Sequence, residues 1–383
     1  MKLKDIGKIV TGKTPSTKQL ENFSELDDKY LFVTPRDMKD NCKYIESTER
    51  YLTSFVEDKF KSQIIKKDSV CISCIGSDMG KVYMINRPGI TNQQINSITA
   101  IKDICNPHYL YYYFSDKKEY LKGIAGGSTM PILNKSTFEN IEIDLPARNI
   151  QDKIVKILNN IDNKIELNNK TNDNLYELSF SLYKKWYDSL SSDNITTLSK
   201  FDEMGKIVMG QSPKGESYNY YNEGLPLING AADYENGFLK AQKYTTMPTK
   251  ICNKNDLIFC IRATIGLLTI CDKEYCLGRG VAGIVNINEL YREYVFHLIN
   301  NSIESFKNLA TGSVIVGISR NDIQNIKVKI PSKEQIKKFH DIQKKLFDKM
   351  ENIRQENIVL TQLRDTLLPK LMNGEIDLDK IEI

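Results

Sequence analysis

"LKDIGKIVTGKTPS", residues 3–16, returns later in the chain as "FDEMGKIVMGQSPK", residues 201–214, with Gly7/Gly205, Lys8/Lys206, Ile9/Ile207, Val10/Val208, Gly12/Gly210 and Pro15/Pro213 kept in step. A match of this length inside one chain marks a tandem duplication, which fixes architecture before any local propensity is read. A second pair of anchors confirms it. "GGSTMPILNKSTFENIEIDLP" (126–146) returns as "TGSVIVGISRNDIQNIKVKIP" (311–331), with Gly127/Gly312, Ser128/Ser313, Asn140/Asn325, Ile141/Ile326 and Pro146/Pro331 at a constant offset of 185. Between these anchors the copies diverge, the pattern of one fold carrying two different surfaces.

A long helical pattern follows each copy. Ile154, Ile161, Asn168, Leu175 and Leu182 fall seven apart, and 185 residues on stand Phe339, Leu346, Ile353, Leu360 and Leu367, flanked by Ile157/Ile342 and Leu178/Leu363. A seven-residue period keeps an apolar stripe on one partner helix, the requirement of knobs-into-holes packing, so these ten positions are the expected coiled-coil seam. Asn168 is a polar residue in that stripe, of the kind that fixes register. Pro369 has no N–H to bond back to Asp365 and is expected to kink or end the second helix, with Gly374 as a C-terminal stop.

The order of parts constrains geometry. The chain divides into a first domain at 1–147, a helix at 148–190, a second domain at 191–332 and a helix at 333–375 with a short tail to 383. Because domain termini usually lie close together, the second helix is expected to begin where the first ends and run back along it. A helix of some 40 residues spans about 60 Å. The expected class is therefore α+β: two repeated domains of mixed α/β structure, separated by two long antiparallel coiled-coil helices and held at opposite ends of a rod.

Within each domain strand-like runs dominate: "YLFVTP", "SVCISCI", "KVYMIN", "NSITAI" and "IEIDLP" in the first, "PLINGA", "DLIFCI", "AGIVNI" and "IKVKIP" in the second. One helix is expected to interrupt each. In the first domain it begins at Asn106-Pro107, a cap followed by proline at the first turn, and carries "HYLYYYFSDKKEYLKGIA".

Composition bounds the function. With 40% hydrophobic and 27% charged residues the chain is globular in type, and it contains no run of the roughly 18 apolar residues that a membrane span needs. The opening "MKLKDIGKIVTG" is charged too early for a secretory signal, which points to a cytoplasmic address. Eight cysteines lie mostly in apolar runs, and Cys71/Cys74 form a lone C-x-x-C without a second pair, so reduced structural thiols are expected and no metal site. A net charge of +4 permits a polyanionic partner.

Catalytic motifs are not found. "NPHY" (106–109) is similar to the N-P-P-[YF] loop of amino-methyltransferases, but His108 replaces the second proline, the motif opens a helix, and no F-x-G-x-G loop precedes it; helix capping is the better reading. "IAGGS" (124–128) lacks the third glycine of a dinucleotide fingerprint. No G-x-S-x-G elbow stands beside one of the three histidines, and no acidic pattern for a nuclease magnesium site is present. No catalytic residue is assigned, and the chain reads as a binder.

The diverged middles place cationic and amide side chains in turns: "TGKTPSTKQ" (11–19), "TPRDMKDN" (34–41) and "TNQQIN" (91–96), then "MGQSPKGE" (209–216), "LINGAADY" (227–234), "IRATIG" (261–266) and "LGRGVAG" (277–283). Arginine, asparagine and glutamine read base edges bidentately, whereas lysine, hydroxyls and backbone amides hold phosphates. The candidate DNA contacts are Lys13, Thr14, Ser16, Lys18, Arg36, Asn92, Gln93, Gln94 and Ser128 in the first domain. In the second they are Gln211, Ser212, Lys214, Asn229, Arg262, Arg279 and Ser313; Gln93-Gln94 and Arg279 are the strongest by residue chemistry. Two unlike heads related by an approximate two-fold match duplex DNA with two unlike half-sites, one or two turns of roughly 34 Å apart.

This pattern resembles the specificity subunit of type I restriction-modification systems over nearly the whole chain. "LTQLRDTLLPKLMNGEI" (360–376) is its most specific piece, being similar to that family's C-terminal helix, with "LYELSFSLYKKWYDSL" (175–190) as a weaker twin. The resemblance implies two target-recognition domains, each reading half of a bipartite asymmetric DNA sequence, and spacer helices that dock two methyltransferase subunits. Restriction motor-nuclease subunits would join the same assembly. It implies no active site and no cofactor on this chain, with S-adenosylmethionine, ATP and magnesium on the partners. The alternatives are a self-sufficient methyltransferase or nuclease, and a coiled-coil adaptor without DNA specificity.

Overall fold

A computed structural model describes the chain except residues 39–41, 77–78, 127–130, 194, 236, 310–316 and 381–383. It separates into two compact units, Met1–Leu167 with Glu356–Ile383, and Asn168–Gln355. Both are mixed α/β.

In the first unit one sheet is built from β1 (Gly7–Thr11), β3 (Val70–Ser73) and β5 (Ile95–Ala100), in the order β1-β5-β3 and extended by Val82–Ile85 and Tyr44–Ile45. A second sheet holds β2 (Tyr30–Val33) parallel to β4 (Gly89–Thr91), with Tyr51–Leu52 and Phe23–Ser24 beyond β2. The period-2 alternation of a strand divides β3 between two cores. Val70 and Ile72 face a helical layer of Tyr109, Phe114, Phe138, Ile154 and Leu158, while Cys71 faces Leu31, Val33, Ile85 and Ile95.

The second unit repeats this plan. β6 (Lys206–Met209), β8 (Leu257–Cys260) and β10 (Val281–Val285) run in the order β6-β10-β8 with Leu268–Ile270, and β7 (Leu225–Ile228) lies parallel to β9 (Tyr275–Leu277) in the other sheet. Leu257 and Phe259 join a helical core with Tyr294, Ile299 and Phe339, whereas Ile258 and Cys260 join the inter-sheet cluster of Ile228 and Leu277.

Several sequence expectations need correction. The helix over "HYLYYYFSDKKEYLKGIA" is two, Pro107–Ser115 and Lys118–Gly123, because the chain turns at Asp116, where the Lys117 N–H bonds to Phe114 O at 3.0 Å. Each head also carries further short helical segments, Leu3–Ile6, Val56–Lys59 and Lys135–Glu139 in the first and Arg320–Gln324 in the second. "IEIDLP" forms no full strand. It meets the segment Met1–Leu3 only through Ile143 N–H to Met1 O (2.8 Å), Leu3 N–H to Ile141 O (3.0 Å) and a bridge between Lys2 and Glu142. Its twin Lys327–Lys329 pairs with Ile195–Thr197 in a two-stranded antiparallel ladder.

The long helices are α1 (Arg148–Ser189) and α2 (Lys333–Met372). In the first unit Asp162 pairs with Arg364 at 3.1 Å and Lys164 with Glu356 at 3.3 Å. In the second the Asn172 amide donates to Met350 O at 3.3 Å and the Ser179 hydroxyl to Gln343 Oε1 at 2.5 Å. Rising numbers meet falling ones, so within each unit the two segments run in opposite directions. Ile154, Ile161, Asn168, Phe339 and Ile353 are buried, and Leu175, Leu346, Leu360 and Leu367 half-buried. Leu182 is not in the seam but 37% exposed, and Leu178, Ile342 and Leu363 are exposed too. A helix of 3.6 residues per turn drifts about 20° per heptad. After Asn168 the buried stripe therefore passes through Ser179, Tyr183 and half-buried Trp186 instead.

Pro369 does not end α2, which continues to Met372 because Leu371 is buried in the first core and Leu367, Leu368 and Met372 pack on it. Gly374 is the stop, at φ +70°, with Glu375 N–H returning to Lys370 O at 2.9 Å.

Candidate nucleic-acid interface

The loops nominated from residue chemistry meet at one edge of each head, and hydrogen bonds fix them there. In the first head Gly12 N–H donates to Ile95 O (3.1 Å), Asn92 N–H to Val33 O (2.9 Å) and Cys74 N–H to Gln94 O (2.7 Å), tying the ends of β1, β2, β3 and β5 together. Gly12 is required by this closeness, since a Cβ there would lie 2.0 Å from Asn92 O and 2.2 Å from Thr91 O. The Asn92 side chain folds over its own turn, accepting from Gln94 N–H and donating to Gln94 Oε1, both at 3.1 Å. The Thr14 hydroxyl donates to Gln93 Oε1 at 2.7 Å. Exposed Arg36 sits on the turn leaving β2, which Asp37 locks by accepting from Thr34 N–H at 2.8 Å and Glu49 N–H at 2.9 Å.

The second head rebuilds the same edge. Gly210 N–H donates to Val281 O (3.0 Å), Gly278 N–H to Ile228 O (2.8 Å) and Ile261 N–H to Gly280 O (2.9 Å). A Cβ on Gly210 would meet Gly278 O at 2.0 Å, and one on Gly278 would meet Asn229 Oδ1 at 2.2 Å. Arg279 Nε donates to Ser212 Oγ at 3.0 Å. Buried Asp233 accepts from Asn229 N–H at 2.7 Å and Gln242 N–H at 3.1 Å, the counterpart of Asp37. Arg262 is exposed beside Ile261 and bridges to Gly317, where the first head has Ile75 bridged to Ile132.

Lys13, Thr14, Arg36, Asn92, Gln93 and Gln94 are thus gathered in one head, and Gln211, Ser212, Asn229, Arg262 and Arg279 in the other. Ser16 and Lys18 lie on the following turn, where Ser16 O accepts from Gln19 N–H (3.2 Å), and Lys214 begins a turn closed by Ser217 N–H (3.0 Å). Ser128 and Ser313 lie outside the described residues. Sequence reading missed the two aspartates that hold the turns. The spacing Thr34-x-x-Asp37, a capping pattern, was the available signal.

Elsewhere the polar groups are structural. The Asn106 side chain caps its helix by accepting from His108 N–H at 2.9 Å, and burial holds the His108 imidazole down at about 4. Cys71 and Cys74 belong to different cores, their thiols pushed up to about 12 and about 11 by burial. Ser179 Oγ lies 2.8 Å from His297 Nε2, but both are fully buried, so no substrate reaches the pair. Among the described residues no cluster of three or more His, Cys, Asp or Glu is arranged to hold a metal, and no helix is long and apolar enough to cross a membrane. A cavity of about 600 Å³ in the second unit is walled by Tyr176, Phe238, Phe296, Phe347 and Arg354; none of the candidate loop residues borders it.

A duplicated mixed α/β head, offering at each copy a glycine-built edge of exposed amide and guanidinium groups, defines a tandem recognition protein. The family model of the type I restriction modification DNA specificity domain matches residues 1–177 and 197–362, and the chain belongs to that family. It is 27% identical to the type I restriction enzyme MjaIX specificity subunit of Methanocaldococcus jannaschii, over 99% of this chain and 94% of that protein. It is 36% identical to the type I restriction enzyme HindI specificity subunit of Haemophilus influenzae over 42% of this chain and 37% of that one. In fold it resembles the crystal structure of the type I restriction-modification S subunit from M. genitalium, with a TM-score of 0.53 and 19% identity, covering 97% of this chain and 95% of that one.

Proposed function

We propose that the chain is the DNA-recognition subunit of a cytoplasmic type I restriction-modification complex, in which each head reads one half of a split, asymmetric duplex sequence. The observation that carries this reading is the pair of equivalent loop edges: one hydrogen-bonded frame, built twice, presents Gln93 and Arg36 in one copy and Arg279 and Arg262 in the other. Such a frame reads two different sequences without two different folds. Lysines and hydroxyls around it are suited to phosphates, which position the protein without specifying bases.

In this proposal α1 and α2 act as an antiparallel coiled-coil spacer and dock two methyltransferase subunits. Support comes from the opposed pairing within each unit and from apolar side chains that the helices leave in solvent: Leu167 at 60%, Leu178 at 49%, Ile342 at 55% and Val359 at 63% exposed. S-adenosylmethionine, ATP and magnesium belong to the methyltransferase and motor-nuclease partners, and this chain supplies address rather than chemistry. Mapping adenine methylation in cells with and without the gene tests the proposal. Loss of one split motif is expected. An unchanged methylome refutes it, and S-adenosylmethionine binding or metal-dependent nicking by the purified chain alone would favour a self-sufficient enzyme.

A further inference from the structure

The backbone hydrogen bonds of the two loop edges correspond residue for residue, and the correspondence singles out one residue in each. Counting from the bond of Gly12 N–H to Ile95 O in one head and of Gly210 N–H to Val281 O in the other, Thr14 and Ser212 each stand two residues onward; Gln93 and Arg279 each stand two residues back. The hydroxyl of the first holds the side chain of the second in both copies, at 2.7 Å and 3.0 Å. The clamp is kept while the clamped residue differs.

The neighbours leave that residue alone at the tip. Around Arg279 stand Gly278 and Gly280, which carry no side chains and lie so close to Asn229 that a Cβ on Gly280 would be 2.0 Å from Asn229 O. Around Gln93, Asn92 and Gln94 bond to each other across the turn at 3.1 Å. The chemistry of each clamp matches base reading. Ser212 takes the Arg279 Nε–H and leaves the two terminal nitrogens of the guanidinium, the edge that donates to guanine O6 and N7. Thr14 occupies one lone pair of Gln93 Oε1, leaving the other to accept from adenine N6 and the amide NH2 to donate to adenine N7.

We infer that Arg279 and Gln93 are the paired specificity-determining residues of the two heads, Arg279 selecting a guanine in one half-site and Gln93 an adenine in the other. This rests on the proposal that the heads read DNA. A phosphate-holding arginine is the competing role, and it makes a different prediction, weakening binding uniformly across sequences when removed.

The test is selection of bound duplexes from a randomised pool by the chain in complex with its methyltransferase subunit, scored one half-site at a time. Arg279→Gln is expected to lower the preference for guanine at one position by roughly 5- to 140-fold, without altering the other half. Arg279→Lys keeps the charge but not the fork, and is expected to lose the same preference while retaining overall affinity. Gln93→Arg is expected to replace adenine by guanine in the opposite half. A uniform loss of affinity with both motifs intact overturns the inference, as does a Gln93 or Arg279 variant that alters the wrong half. Replacing residues 197–330 with the recognition domain of another family member separates the two levels. If that exchange rewrites one half-site and Arg279→Gln does not, the inference falls and the DNA-reading proposal stands; if neither changes the selected sequences, the proposal falls with it.

Discussion

Alanine at Gly12 places a methyl carbon 2.0 Å from Asn92 O, 2.2 Å from Thr91 O and 2.3 Å from Thr91 Oγ1. Real Cβ contacts are essentially never below 3.0 Å, so the turn bearing Gln93 must retreat by at least about 1 Å, and two of the three obstacles are backbone. Forced overpacking of this kind costs about 1–3 kcal/mol. For a unit of this size that is a fall in melting temperature of roughly 2–12 °C. Gly123→Ala is the control, because nothing lies within 4 Å of a Cβ there and the residue closes the helix Lys118–Gly123, so the change is expected to be neutral or slightly stabilising. Melting is followed by calorimetry, and half-site reading by competition with duplexes altered in one half. Gly12→Ala should impair one half only, and Gly210→Ala, whose Cβ would lie 2.0 Å from Gly278 O, only the other. If Gly12→Ala melts with the parent and discriminates both halves as well as it does, the hydrogen-bonded frame does not position the loops.

Leu158 is fully buried in the first core, and Leu158→Ala should destabilise that unit by about 2–5 kcal/mol in denaturant titration. Burial holds the His297 imidazole at about 4 against an ordinary 6.5, so the folded chain binds fewer protons than the unfolded chain in that window. The stability this represents is complete above pH 6.5 and is lost as pH falls toward 4, at up to about 1.4 kcal/mol per pH unit, and His297→Gln should flatten that acid limb in unfolding measured against pH. If Lys13 holds a phosphate, Lys13→Ala should weaken binding to all duplexes alike and reduce the slope of log affinity against log salt by about 1.

The duplication was legible because its anchors are backbone demands. Gly12 and Gly210 recur since only glycine fits between crossing carbonyls, and Asn106-Pro107 announces a helix start through capping geometry that the structure reproduces. The seam was legible as far as Asn168 and then misleading: Leu178 and Leu182 keep a seven-residue rhythm, but their exposure shows that rhythm in the sequence is not contact in the fold. The second sheet of each head was legible only in part: "YLFVTP" and "PLINGA" mark a strand of each, but Phe23–Ser24 and Tyr51–Leu52 in the first head and Tyr218–Asn219 and Ile251–Cys252 in the second are two residues each, too short for alternation to register. The loop residues were nominated singly by chemistry. Their grouping, and the matching of Gln93 with Arg279, depend on strand register across low-similarity sequence, which no local pattern carries.

The make-up of the first unit also sets a timetable for synthesis. Residues 168–355 form one uninterrupted stretch and can fold soon after they leave the ribosome, whereas the head translated first must wait for residues 356–383, which bring Leu371 and Leu378 to its core. The head born first is therefore the last to be finished, and a ribosome that stalls just after residue 355 releases a chain with one sound reader and one left open.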